Sequence, residues 1–230
     1  NYNIDKGLQN KWGYDFPFVS ESINIKVESI LKKSEYNQAI LFIHDWGSIV
    51  GSLCYKLKPL LYQRIIMIDV GDGGRNKELS FTQKLIIVMY QYWNILAFLI
   101  PLNFIGNGMT KFGCWVLKTP IYKYAPNKIH AGMNYMYYYL WKRMLFNKAS
   151  MNEIRLKSFP EIPLYFGFGT KNPLKFYSNK FIKNIDSRND CDYKGYNASH
   201  WVMIDKKDEL NKDIQKWLND TNKFCLKAKM

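Results

Sequence analysis

Two short apolar runs with a helical stretch between them most constrain what this chain can fold into. Gln38–Ile43 (QAILFI) and Arg64–Val70 (RIIMIDV) are rich in β-branched and aromatic residues. Runs of that kind suit strands covered on both faces, as in a parallel sheet flanked by helices. Gly47–Leu57, between them, has helical spacing. Strand, helix and strand in succession predict a parallel unit with a right-handed crossover. The second run stops at Gly71-Asp72-Gly73-Gly74, a strong turn signal.

The pattern then changes. From Lys77 to Arg155 the segments are aromatic and helix-like, with no clear strand. Ile162–Phe168 resumes the strand pattern, Lys175–Ile185 reads as a helix and Cys191–Tyr196 as a further strand. Lys207–Asn219 is amphipathic, with Leu210, Ile214, Trp217 and Leu218 at helical spacing. The expected organisation is an α/β core whose first part is 1–76, a helical insertion at 77–155, and the completion of the core at 156–230. A chain of 230 residues is long enough for this.

The hydrophobic fraction of 47% favours a folded protein despite a net charge of +14. The lysines are spread along the chain and not gathered in one block, so a basic surface is expected and nucleic acid is not an expected partner. Cys54, Cys114, Cys191 and Cys225 are scattered without metal or redox spacing. They read as free thiols in a reducing compartment, which places the protein in the cytoplasm. Leu85–Ile105 is uncharged for 21 residues, long enough to span a bilayer. Gln91, Asn94, Pro101 and Asn103 within it are costly at mid-membrane. Buried or pocket-lining helices are therefore expected, with a peripheral membrane contact as a further reading.

The chemistry concentrates where the first run ends, at AILFIHDWGS (Ala39–Ser48). An apolar strand finishes on His44, Asp45 and Trp46, and a helix begins within a few residues. That is the layout of a nucleophile elbow, which exposes the apical side chain to a pocket beside the N–H groups of a helix start. An Asp there can form a covalent ester. An Asp there can equally be a helix N-cap. On the residues alone both readings stay open.

Ile43-His44-Asp45-Trp46-Gly47-Ser48 resembles the elbow of α/β-hydrolases with an aspartate nucleophile, the epoxide hydrolases and haloalkane dehalogenases. Ala198–Asp205 (ASHWVMID) is similar to the Gly-His-Trp stretch that carries their catalytic histidine, and the following helix with Glu209, Asn211 and Trp217-Leu218 also matches. The resemblance implies an α/β-hydrolase fold, its later strands only, with an inserted helical cap. It implies that Asp45 attacks an electrophilic carbon and that His200 activates the water that hydrolyses the ester. It implies a small lipophilic substrate and neither cofactor nor metal. Read without it, the competing reading of His200 is a partly buried structural histidine. The usual acid position, after the Ile162–Phe168 strand, holds Asn172, which cannot carry charge. Some dehalogenases place the acid 24 residues beyond the nucleophile, which here is Asp69, with Asp72 as the fallback. Asp69 is also readable as a strand-end residue that binds local N–H groups. In the cap, MNYMYYYLW (Met133–Trp141) offers Tyr135 as the proton donor to an opened epoxide and Tyr137 as a substrate contact. Trp46 would contact substrate and donate to a halide. Ser48, inside the helix, disfavours a serine hydrolase.

No His-Gly-x-Pro loop precedes Asp45, and Gly7–Phe18 resembles only the loop after the family's fourth strand. Ile43 stands where the family has a small residue. The chain therefore reads as a fragment lacking the first four strands or as a degenerate homologue. The alternative function is an α/β-hydrolase-like protein with a binding role or no activity. The sequence does not specify the oligomeric state.

Overall fold

The computed structural model describes residues 12–72, 79–146, 153–154 and 158–227, with side chains to residue 221. Its elements are α1 (Phe16–Leu31), β1 (Ala39–His44), α2 (Trp46–Leu57), β2 (Tyr62–Ile68), α3 (Phe81–Leu99), α4 (Asn103–Val116), α5 (Pro120–Tyr124), α6 (Tyr135–Phe146), β3 (Leu164–Gly169), α7 (Asn179–Asp186), β4 (Asp192–Tyr196), α8 (Val202–Asp205) and α9 (Lys207–Lys227). They form two compact units. A helical unit takes the chain up to Val19 and Ser80–Glu153, and a sheet unit takes Ser20–Leu79 and Ile154 onward.

In the sheet unit, β1, β2, β3 and β4 lie side by side in sequence order, and every pairing is parallel. All four strands therefore end at the same edge, which is where loops can gather functional groups. Side chains of β3 alternate between the faces, as a strand requires. Tyr165 meets Trp217 of α9 at a tilt with ring centroids 5.7 Å apart, and Phe166 meets Phe181 of α7 edge-on at 5.1 Å. The core on the α9 side joins Ile66, Ile68, Tyr196, Val202, Leu210 and Ile214. On α1, Ser20 and Asn24 are buried, and each donates to a carbonyl of α2, Val50 and Cys54 respectively.

Each expected strand and helix of the core is present, with shifted ends. The helix expected from Lys175 starts at Asn179. Phe176 first bridges to Val70 as a short extension of the sheet, and Ser178 then caps α7 by accepting from the Phe181 N–H. β1 departs from the expectation of a strand covered on both faces. Leu41 and Ile43 are buried, whereas Ile40 and Phe42 are exposed. Among the described residues, no strand pairs with its outer edge.

The helical unit contains no strand among its described residues. The 21-residue apolar stretch is broken at Pro101 into α3 and α4, which pack together. Ser80 and Gln83 form a reciprocal capping box at the start of α3. A Cβ on Gly106 would lie 2.4 Å from the Ala97 carbonyl oxygen, so the two backbones meet where only glycine fits. Of the polar residues that argued against a membrane span, Gln91 has a partner on α6, and further polar bonds tie the unit together. Trp141 donates to Gln91, and Asn134 donates to Thr110, which donates to the Gly106 carbonyl.

Residues 12–19 belong with this unit, although the sequence reading placed them with the core. The reason is specific contact. Arg143 of α6 binds both carboxylate oxygens of Asp15, at 3.0 and 2.6 Å, and Gly13 sits directly on the ring of Tyr135. The expected boundaries at 76/77 and 155/156 lie outside the described residues.

Ile43, bulky where the resemblance leads one to expect a small residue, is accommodated by its neighbour. A Cβ on Gly51 of α2 would lie 2.4 Å from Ile43 Cγ2. Overpacking of this kind costs about 1–3 kcal/mol. Gly51→Ala should lower stability in urea unfolding by that amount, and Ile43→Ala in the same chain should recover part of the loss. Purely additive effects of the two substitutions would show that they do not share this space.

Candidate active site

The carboxyl ends of β1, β2 and β3 and the loop after β4 converge on one cluster. β1 ends on His44, and Asp45 follows with φ 52° and ψ −124° before α2 begins at Trp46. A non-glycine residue in that region costs about 1–3 kcal/mol and persists only when its surroundings hold it. The Asp45 side chain makes no capping bond to α2, and 44% of it is exposed. The N-cap reading, open in the sequence, is not what the side chain does here.

Asp69 also has a positive φ, 60°, just past the end of β2. Its residue is 2% exposed, and a buried carboxylate is tolerable only when its oxygens are satisfied. Oδ1 accepts from the Gly169 N–H at 2.9 Å. Oδ2 accepts from the Asn172 amide and faces His200 Nδ1, each at 2.6 Å. A carboxylate can only accept, so Nδ1 of His200 carries the proton. Nε2 of the neutral ring is then the free lone pair, and it lies 3.9 Å from Asp45 Oδ1. That is too far for a hydrogen bond, so the Asp45 carboxylate is not tied to the imidazole.

The loop that carries His200 is held on three sides. Ser199 N–H and Oγ both donate to Asp205 Oδ2, at 2.8 and 2.6 Å. The loop backbone presses on Gly169, where a Cβ would lie 2.0 Å from the Ser199 carbonyl oxygen. His44 completes the support. Its Nε2 lies 3.1 Å from the His200 carbonyl oxygen, so that nitrogen donates, and its ring is 4.5 Å from the His200 ring.

Of the residues singled out in the sequence, Asp45, Asp69 and His200 are thus brought together. Asp72 is engaged elsewhere, accepting from Ser178 N–H and Oγ. Trp46, partly exposed, is the first residue of α2 and follows Asp45 directly. Tyr135 and Tyr137 belong to α6 of the helical unit, where Tyr135 is buried and Tyr137 meets Tyr90 edge-on. Ser48 lies in the first turn of α2 and is buried. Two contributors escaped the sequence reading. Asn172 supplies a hydrogen bond to Asp69 from the position where an acid was sought. His44, next to the candidate nucleophile, supports the His200 loop. An amide at the acid position was the available signal for the first, and a second histidine in the elbow for the second.

Charge sets the protonation states. Burial pushes the His200 pKa down. The hydrogen bond to Asp69 and the charges of Asp45 and Asp69 outweigh it and hold the pKa above the ordinary value. Although its side chain is partly exposed, the protein around the Asp45 carboxyl desolvates it and pushes its pKa upward, and Asp69 adds to this, while His200 and the Trp46 N–H oppose it. Burial and the neighbouring His200 charge push His44 down to about 4, so it remains a neutral donor at neutral pH.

No family model matches the sequence, and no curated protein matches it. The structure does have solved counterparts. An epoxide hydrolase from Bacillus megaterium superposes with a TM-score of 0.62 at 18% identity, covering 92% of this chain and 78% of that one. An epoxide hydrolase from Vigna radiata gives 0.61 at 14% identity, covering 94% and 78%. A carboxylesterase from Nitrososphaera gargenis gives 0.56 at 13% identity, covering 95% and 76%. The chain has an α/β-hydrolase fold with an inserted helical segment. Likeness at such identities defines the architecture and leaves the chemistry to the site residues.

An imidazole is a base only when neutral, so a step that uses Nε2 gains rate as pH rises through the His200 pKa. NMR titration of the His200 ring should give a midpoint above the ordinary 6.5. In Asp69→Asn the midpoint should fall, because the bond that lifts it is gone. An unchanged midpoint in a folded Asp69→Asn protein would show that the pair does not form in solution.

Proposed function

We propose that this protein is a hydrolase that works through an aspartyl-ester intermediate on a small lipophilic electrophile, with an epoxide the favoured substrate and a haloalkane the second. The observation that carries the reading is the order Asp69–His200–Asp45, with 2.6 Å on one side of the imidazole and 3.9 Å on the other.

In the first step an Asp45 oxygen attacks the substrate carbon. A C–O bond of the epoxide breaks with its electron pair and leaves an alkoxide that takes a proton from water, or the carbon–halogen bond breaks to release halide, and an alkyl ester of Asp45 forms. The positive φ of Asp45 supports this role, because the carboxylate held there makes no capping bond to α2 and stays partly exposed. In the second step Nε2 of His200 takes a proton from water, and the resulting hydroxide attacks the carboxyl carbon of the ester. The alcohol leaves, the Asp45 carboxylate is restored, and the imidazolium returns its proton to solvent. Asp69 holds the imidazole with Nδ1–H toward itself, which fixes the tautomer, and it stabilises the imidazolium as the charge appears. Asn172 fits this arrangement as a donor, since it fills a lone pair of Asp69 that would otherwise be buried and unmet.

Intact-mass spectrometry after incubation with styrene oxide or chlorohexane tests the assignment. A substrate-sized adduct should accumulate in His200→Gln and be absent in Asp45→Asn. Turnover should fall by at least ~10³-fold in both variants, as expected when a nucleophile or base is lost. An adduct that persists in Asp45→Asn would move the nucleophile elsewhere. Folded wild-type protein with neither adduct nor turnover would favour a binding protein built on the same fold.

A further inference from the structure

We propose that the outer face of α3 and α4 docks on an anionic lipid surface, with the helices lying in the interface and not crossing it. This concerns the helical unit alone and does not rest on the hydrolase reading.

The face is apolar in register. On α3, Leu85, Met89, Tyr92, Leu96 and Leu99 recur at spacings of three and four and are all exposed, Met89 to 63%. One face of a helix carries such spacings, and a water-facing helix would show polar residues there. The apolar surface continues onto α4. Trp93 lies 5.7 Å from Phe112 and Phe112 lies 5.7 Å from Trp115, which is 55% exposed. The Trp93 indole N–H donates to the Met109 carbonyl, so the two helices share one outer surface.

Charge chooses the occupant. From Ser80 to Asn152 the chain contains neither Asp nor Glu, while Lys84, Lys111, Lys118 and Lys123 are exposed. Exposed lysines without acidic neighbours, on helices that also expose aliphatic and aromatic side chains, are the signature of an interfacial helix on anionic headgroups. Aromatic rings with polar edges suit the headgroup level, and lysine stems extend past apolar surface to reach phosphates. Nucleic acid would use the lysines but gain nothing from Leu85, Met89, Leu96 and Leu99. A crossing helix is not available, since none among the described residues is long and apolar enough.

Co-sedimentation of the whole chain with vesicles of phosphatidylcholine, with and without phosphatidylserine, tests this. Binding should require phosphatidylserine, weaken with added salt, and be accompanied by a blue shift of tryptophan fluorescence. Charge reversal at Lys111 and Lys118 should weaken binding by about fivefold per lysine. Met89→Glu with Leu96→Glu should abolish it while leaving circular dichroism and the thermal midpoint unchanged or raised, because both side chains already face water. No binding to phosphatidylserine vesicles, or binding untouched by the double substitution, would overturn the proposal. So would light scattering that finds a dimer in wild type and a monomer in Met89→Glu/Leu96→Glu without vesicle binding, since the face would then join two copies of the chain.

Discussion

The buried carboxylate of Asp69 is the constraint on which the rest of the sheet unit depends. A charge removed from water needs partners on both oxygens, and here they come from three separate places: the end of β3 at Gly169, the following loop at Asn172, and the loop after β4 at His200. Parallel strands make this possible by ending at one edge. Gly169 makes it close, because its missing Cβ lets the Ser199 backbone approach β3. The imidazole is therefore held by its ring, by its loop and by His44 behind it. One lone pair remains, and it is turned toward the side of Asp45.

The helical unit is built on a different balance. Its interior is tied by amides and hydroxyls, Gln91 to Trp141 and Asn134 to Thr110, and its outside is apolar and cationic. Among the described residues Arg143 is the exception among its cations, drawn inward by Asp15. Gln91, one of the polar residues that make a transmembrane reading of Leu85–Ile105 costly, also ties α3 to α6. Polarity inside and apolarity outside explain each other.

Much of this was legible in the sequence. Period and composition located all four strands, and the elbow and the Ser199-His200-Trp201 stretch pointed to two of the three grouped side chains. Asp69 came from the resemblance, as the acid position of some dehalogenases, beside an equal reading as a strand-end residue. The remainder is not written in any local pattern. Nothing near Asn172 says that its amide meets a carboxylate 103 residues away. Nothing near Ile43 says that Gly51 clears space for it. An apolar strand pattern reports what could be buried on each face and not what covers it, so the exposure of Ile40 and Phe42 was invisible. The allegiance of residues 12–19 likewise depends on a partner, Arg143, more than a hundred residues on.

The bond between Asp69 and the Gly169 N–H spans 100 residues, with the whole helical insertion between them. Closing so long a loop costs only slightly more entropy than closing one half its length, because the cost grows with the logarithm of length. Its effect is on order in time. β1, α2 and β2 are contiguous and can assemble from local contacts, whereas β3 must find β2 across the insertion before Asp69 has any partner. Until then Asp69 is a carboxylate in water beside an unfinished sheet. The charge arrangement of the site is thus a late product of folding, and its appearance would be a chemical marker that the strands on either side of the insertion have met.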